Sequence, residues 1–252
     1  MNSNNFANCN FEKSQRKAAK VAGFIFLFIV LGWILNWTFV DSKLTIAGNV
    51  TATATNILAN EWLFRVGIMN ELILSVSGFI LAFALYVMLK PIDRNLALLA
   101  LFLKMAESIV ATVNVLAKFI VLQMLNGKAY LTVFKPEHLQ DIAGLFFNIR
   151  SNGATITMVF LGLGFIVFFY LLYKSKYVPG ILAGFGILSY FLILVNSFVT
   201  ILIPQNGTMM TMVNSISMIF MTPSILFELI IGLWLLIKGI KLQQMKSSIS
   251  ES

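Results

Sequence analysis

Cysteine, histidine and charge are what this chain has least of. Cys9 is the only cysteine and His138 the only histidine among its 252 residues. A lone thiol closes no intramolecular disulfide and builds no thiolate cluster, and a lone imidazole cannot supply the two histidines of an H-E-x-x-H zinc site. No P-loop, G-x-G-x-x-G, G-x-S-x-G or aspartate-rich metal motif occurs. A serine hydrolase built on His138 would need that residue to reach a serine nucleophile from a loop. No cofactor, metal or catalytic residue is therefore expected. An intramembrane enzyme would have to work through a few lysines and carboxylates.

The shortage of charge decides the class. Charged residues make up 11% of the chain against 59% hydrophobic, and the mean hydropathy is +0.88, outside the range of soluble domains. A spanning helix needs about 20 mostly apolar residues. The stretches that qualify are Ala18 to Val40, Leu63 to Leu89, Asn95 to Leu122, Ala154 to Tyr173, Val178 to Ile203 and Ser215 to Ile237. The expected fold is all-α: a polytopic membrane protein with six transmembrane helices in one domain over 18–241. A cytoplasmic segment over 1–17 precedes it and a disordered cytoplasmic tail over 242–252 follows.

Lysine and arginine accumulate on cytoplasmic flanks. With the N-terminus inside, Lys13, Arg16, Lys17, Lys20, Lys90, Arg94, Lys174, Lys176, Lys238, Lys241 and Lys246 fall on the inner side, against Lys43, Arg65, Lys128, Lys135 and Arg150 outside. This asymmetry predicts N-in and C-in. The formal charge of +8 is then mainly a topology signal, with some attraction to anionic lipid; the bilayer is the expected partner. Nucleic acid is a poor one, because the basic residues are scattered over short flanks. The first apolar run exceeds the roughly 7–15 residues of a cleavable signal, so it reads as an uncleaved anchor.

Two outer connections are long enough for structure. Near 136–149, Leu139, Ile142, Ala143, Phe146 and Phe147 follow the i, i+3, i+4, i+7, i+8 spacing of an extracytoplasmic amphipathic helix. His138 lies there as a solvated residue. The connection from Asp41 to Trp62 reads as a helical lead-in ending in an interfacial aromatic anchor. Asn49-Val50-Thr51 and Asn206-Gly207-Thr208 match the glycosylation pattern, which carries meaning only in a secretory pathway.

The informative residues are the polar ones inside the spans. At 100° per residue, Lys104, Glu107, Asn114 and Lys118 of the third span fall within an arc of about 80°. Glu71, Ser75, Gly78 and Ala82 share a face of the second span; Ser189, Asn196 and Thr200 stripe the fifth, and Ser217, Ser224, Glu228 and Gly232 the sixth. At 1.5 Å per residue, Lys104, Glu107 and Glu228 come out roughly 13–18 Å from the cytoplasmic ends. Glu71, Asn114 and Asn196 come out near roughly 27 Å, with Lys118 and Arg65 further out. Charges in hydrocarbon are costly and normally face a protein interior or a water-filled cavity. The candidate polar interior is thus Glu71, Lys104, Glu107, Asn114 and Glu228, with Arg65, Lys118 and Asn196 as outer-layer residues. Small and polar residues also pack membrane helices with no further function. That reading stands beside the functional one.

The stretches Thr51 to Ile68, Leu89 to Glu107, Ala129 to Gly153 and Phe227 to Gly239, including Asn60-Glu61-Trp62-Leu63-Phe64-Arg65, carry a resemblance. The chain resembles the uncharacterised bacterial membrane family catalogued as domain of unknown function 4386, over about Ala18 to Lys241. The resemblance implies a multi-pass protein of the bacterial cytoplasmic membrane and supplies no activity. Asn60, Glu61, Trp62, Arg65, Lys104, Asn114 and Glu228 stand at matching positions. The family pattern has histidine before Ser-x-Gly where this chain has Arg150, so the resemblance carries no titrating or metal-binding role to that position. The leading functional expectation is a bundle that binds or transports a small molecule or ion, its ligand unspecified. The alternatives are a structural or accessory membrane subunit and, third, an intramembrane enzyme.

The orientation is checked by labelling single cysteines introduced into a Cys9→Ser background with a membrane-impermeant maleimide in intact cells. Lys43→Cys is expected to label and Lys174→Cys to remain protected; the opposite pattern would invert the topology.

Overall fold

The computed structural model describes residues 3–46, 49–126, 136–203 and 207–241. Within them the chain is helical, without strands: α1 (Ser3–Asn36), a π-helical turn (Trp37–Asp41), α2 (Ser42–Leu44), α3 (Val50–Ala59), α4 (Glu61–Leu89), α5 (Arg94–Leu125), α6 (Pro136–Ser175), α7 (Gly180–Leu202) and α8 (Gly207–Ile237). Six helices are long and apolar enough to cross a membrane, and their spans are Glu12–Leu44, Glu61–Leu89, Arg94–Leu125, Asn152–Ser175, Gly180–Leu202 and Ile216–Ile237. The protein is a multi-pass, all-helical membrane protein.

Local chemistry sets the boundaries. Asn49 accepts from the amide of Ala52 to start α3, and Asp93 accepts from Asn95 and Leu96 to start α5; each satisfies amide donors that a helix start leaves open. Pro91 follows the end of α4, and Pro179 precedes α7, positions where proline costs a helix nothing. The lead-in to α4 forms a helix, α3, and Trp62 beyond it is largely exposed.

The helix expected near 136–149 is not a separate element. It continues without interruption into the fourth span, so α6 runs for 40 residues. The only potential breaker between them is Gly153, and one glycine costs a helix only about 1 kcal/mol. The side chains of His138 and of the apolar face Leu139 to Phe147, the Asn206 end of the second glycosylation pattern, and the tail over 242–252 lie outside the described residues.

Consecutive spans pack against one another and the last returns to the first: α1 on α4, α4 on α5, α5 on α6, α6 on α7, α7 on α8, and α8 on α1. The result is a closed ring of helices in chain order. Large apolar side chains such as Phe83, Phe102 and Ile181 point outward on these spans, as lipid contact requires. Lipid offers no hydrophobic drive for helices to associate, so close packing must hold the ring. One half of its interior is filled by Phe26, Phe165, Phe169, Tyr190 and Phe227, with ring centroids 4.6 Å apart for Phe165–Tyr190 and Phe169–Phe227 and 5.6 Å apart for Phe26–Phe165. Such pairs contribute about 0.5–1.5 kcal/mol each beyond simple burial.

The seam that closes the ring depends on glycine. A Cβ on Gly23 would lie 2.7 Å from the Gly232 carbonyl oxygen and 2.7 Å from the Leu236 amide nitrogen. Backbone cannot yield to such an overlap as a side chain can. Gly23→Leu is expected to cost about 1–3 kcal/mol of stability, measured by unfolding in detergent. Gly184→Ala, where a Cβ would meet nothing within 4 Å, is expected to leave stability nearly unchanged.

Candidate functional site

Among the described residues, two clusters of charged side chains lie inside the bundle. The first lies at the end of α1 remote from the N-terminus and centres on Glu71 of α4. Its Oε1 accepts from Lys118 Nζ of α5 at 2.6 Å, from Arg150 of α6 at 3.0 Å and from Asn36 Nδ2 of α1 at 3.2 Å. Lys118 also reaches Asp41 Oδ1 at 3.3 Å, and Asn36 Nδ2 reaches Asp41 Oδ2 at 2.9 Å. Asn70 donates to the Gly32 carbonyl and to Asn36 Oδ1, orienting that amide.

The π-helical turn explains how Asp41 joins. In an α-helix residues five apart do not share a face, whereas i→i+5 bonding stacks them. Widening the turn over Trp37–Asp41 brings Asp41 onto the face of Asn36 and so toward Lys118. Among the described residues, two carboxylates then balance two cations. The Glu71 and Lys118 side chains are only 4% and 2% exposed, while those of Asp41 and Arg150 are each 29% exposed. The cluster is buried at its centre and open at its edge.

The second cluster surrounds Lys104 of α5. Its Nζ lies 2.8 Å from Glu107 Oε2, which also accepts from Ser108 Oγ at 3.2 Å, and it sits 4.1 Å from the centroid of the Phe165 ring. A desolvated cation–π contact of this kind is worth about 2 kcal/mol. A Cβ at Gly164 would come within 2.9 Å of Lys104 Cγ, so glycine there is what lets the lysine stem lie against α6. Phe165 packs at a tilt against Tyr190, whose hydroxyl donates to Glu228 of α8. Glu228 also feels the charges of Lys104 and Glu107. One cation therefore sits among two carboxylates.

Of the residues singled out from sequence, Lys104, Glu107 and Glu228 lie in this second cluster, and Glu71 and Lys118 lie in the first. Asn114 stands apart from both, donating to Thr157 Oγ1 at 3.2 Å across the α5–α6 interface. Asn196 accepts from Ser217 at 3.1 Å between α7 and α8. Arg65 does not join the outer layer: it pairs with Glu61 one turn away on the same helix, at 2.6 Å, its side chain 44% exposed. Six residues along a helix turn a side chain about 120° away from Glu71, and that rotation carries Arg65 to the outer surface. The sequence reading missed Asn36, Asp41, Arg150 and Tyr190. A tyrosine in mid-span was an available signal for Tyr190; the π-helical turn had none.

Two lateral grooves open on the apolar exterior. One, of about 580 Å³, lies between α4 and α5 and is lined by Met69, Leu72, Val113 and Leu116 among others, with Arg65 at one end. The other, of about 420 Å³, lies between α1 and α4 and is lined by Phe24, Phe28, Val76 and Ile80 among others. Neither includes Lys104.

A ring of six apolar helices with two sets of ionisable residues inside it defines a polytopic membrane protein with buried charge. The family described as Domain of unknown function (DUF4386) matches residues 21–239, and the chain belongs to that family. No curated protein matches it. No solved structure matches it either.

Burial separates the two arginine contacts. Arg150→Gln is expected to destabilise the detergent-solubilised protein by about 2 kcal/mol or more, since it removes one partner of a mostly buried ionic network. Arg65→Gln, which breaks an exposed i,i+4 pair, is expected to unfold at nearly the same denaturant concentration as the wild type. Chemical unfolding of the two variants side by side measures the difference.

Proposed function

We propose that this protein is a small-ion-binding bundle of the bacterial cytoplasmic membrane, N-in and C-in, whose Lys104 cluster takes up and releases a proton or a monovalent cation. The observation that carries this reading is the charge imbalance of that cluster: Glu107 and Glu228 share a layer with a single cation, Lys104. With all three ionised a negative charge would be left in a medium of low dielectric, and a bound proton or cation removes it. The Tyr190 hydroxyl supports the exchange, because a hydroxyl that donates to an ionised carboxylate can accept from a protonated one by rotating.

A second reading, a structural or accessory subunit without transport, is favoured by the satisfaction of the polar groups. Among the described residues, no buried side-chain nitrogen or oxygen lacks a hydrogen-bond partner, and paired polar groups are what helix packing alone produces.

Flux into proteoliposomes under an imposed pH or cation gradient separates the two. The wild type is expected to dissipate the gradient, with Glu107→Gln and Glu228→Gln reduced toward empty liposomes. Equal flux in wild type and variants would remove the role given to these carboxylates, and no flux in the wild type would favour the structural reading.

A further inference from the structure

The two carboxylates around Lys104 are held very differently. Glu107 Oε2 accepts from the Lys104 ammonium at 2.8 Å and from the Ser108 hydroxyl at 3.2 Å, so its charge is paired within its own helix. Among the described residues, Glu228 accepts only from the Tyr190 hydroxyl, a neutral donor on α7. We propose that the ion exchanged in the Lys104 cluster is a proton and that the carboxyl of Glu228 is the group that binds it. The assignment rests on the ion-exchange reading above and narrows it to one ion and one carboxyl. A hydrogen bond between two charged groups is roughly twice as strong as a neutral one. Glu107, paired with the ammonium, is therefore the carboxylate that stays ionised.

Packing decides between a proton and a larger cation. A Cβ at Gly78 of α4 would lie 2.6 Å from Ser108 Oγ and 3.9 Å from Glu107 Oε2, and one at Gly164 of α6 would lie 2.9 Å from Lys104 Cγ. Two neighbouring helices thus close on the cluster at the distance that a bare glycine allows. A hard metal cation needs several oxygen ligands around it, and the Lys104 ammonium already takes the place beside Glu107. Both lateral grooves are lined by other residues. A proton needs neither a cavity nor a ligand shell. The charged groups within reach of Glu228 are Lys104 and Glu107 of α5, and Tyr190 of α7 is its titratable neighbour. The other spans add no charge at this level: α1 has no charged residue between Lys20 and Asp41, α4 none between Glu71 and Lys90, and α6 none between Arg150 and Lys174. Uptake forms one O–H bond on Glu228 and takes the cluster from a net negative charge to neutrality; release reverses it, and no co-reactant is required.

The test is infrared spectroscopy of the full chain in detergent, following the carbonyl stretch that a protonated carboxyl has and a carboxylate lacks. As the pH is lowered from about 9 to about 6, a range in which ordinary carboxyls stay ionised, the wild type is expected to gain one such band and Glu228→Gln to gain none. The partners identify the carboxyl. Tyr190→Phe, which removes the hydroxyl beside Glu228, is expected to shift the band in frequency, and Ser108→Ala, which removes the one beside Glu107, to leave it in place. Replacing sodium and potassium by a bulky organic cation at fixed pH and ionic strength is expected to change nothing. A band that persists in monodisperse Glu228→Gln, one that moves in Ser108→Ala and not in Tyr190→Phe, or no pH-dependent band in the wild type would each overturn the proposal. Should Glu228→Gln fail to fold, the comparison of Tyr190→Phe with Ser108→Ala decides it. A band that follows sodium or potassium at fixed pH would overturn the proton and leave cation exchange standing, whereas the expected spectra without flux in proteoliposomes would strike transport alone and leave this assignment in place.

Discussion

One carboxylate oxygen holds much of this molecule together. Glu71 Oε1 accepts from Lys118, Arg150 and Asn36, which lie on three other helices. In lipid this convergence is close to obligatory. A lysine or glutamate left unpaired in hydrocarbon costs several kcal/mol, and helices there have no hydrophobic force to bring them together. The charged groups therefore find one another and fix the relative positions of α1, α4, α5 and α6. The π-helical turn follows from the same constraint, because without it Asp41 would face away and two cations would share one carboxylate.

The opposite half of the bundle is organised differently. There Phe26, Phe165, Phe169, Tyr190 and Phe227 pack into a stack that links α1, α6, α7 and α8. Lys104 enters this stack through the face of Phe165, and Tyr190 hands its hydroxyl to Glu228. The aromatic rings exclude water from one side of the charges and strengthen the interactions among them. The two halves thus complement each other: one is charge-balanced and anchored by hydrogen bonds, and the other carries a surplus carboxylate in an aromatic setting.

Hydropathy made the spans legible, with edges displaced by a few residues where polar flanks continue the helix. The Lys104 stripe was legible from periodicity, because each of its residues lies on one helix and needs only the 3.6-residue turn. Joining stripes across helices required rotations as well as depths. Depth alone grouped Arg65 and Asn196 with Lys118, whereas rotation sends Arg65 to the exterior and Asn196 to the α7–α8 interface. Asp41 and Arg150 stand beside their spans in the sequence, which carries no sign of the π-helical turn or of the unbroken helix through Gly153 that bring them inward.

The central physical claim is that Glu71 and Lys118 form an energetically coupled pair at the heart of the fold. A double-mutant cycle with Glu71→Gln, Lys118→Met and the combined variant, read by reversible unfolding in detergent, tests it most directly. A coupling of about 1–3 kcal/mol is expected, with the double variant far less damaged than the sum of its parts. Simple additivity of the two single effects would contradict it.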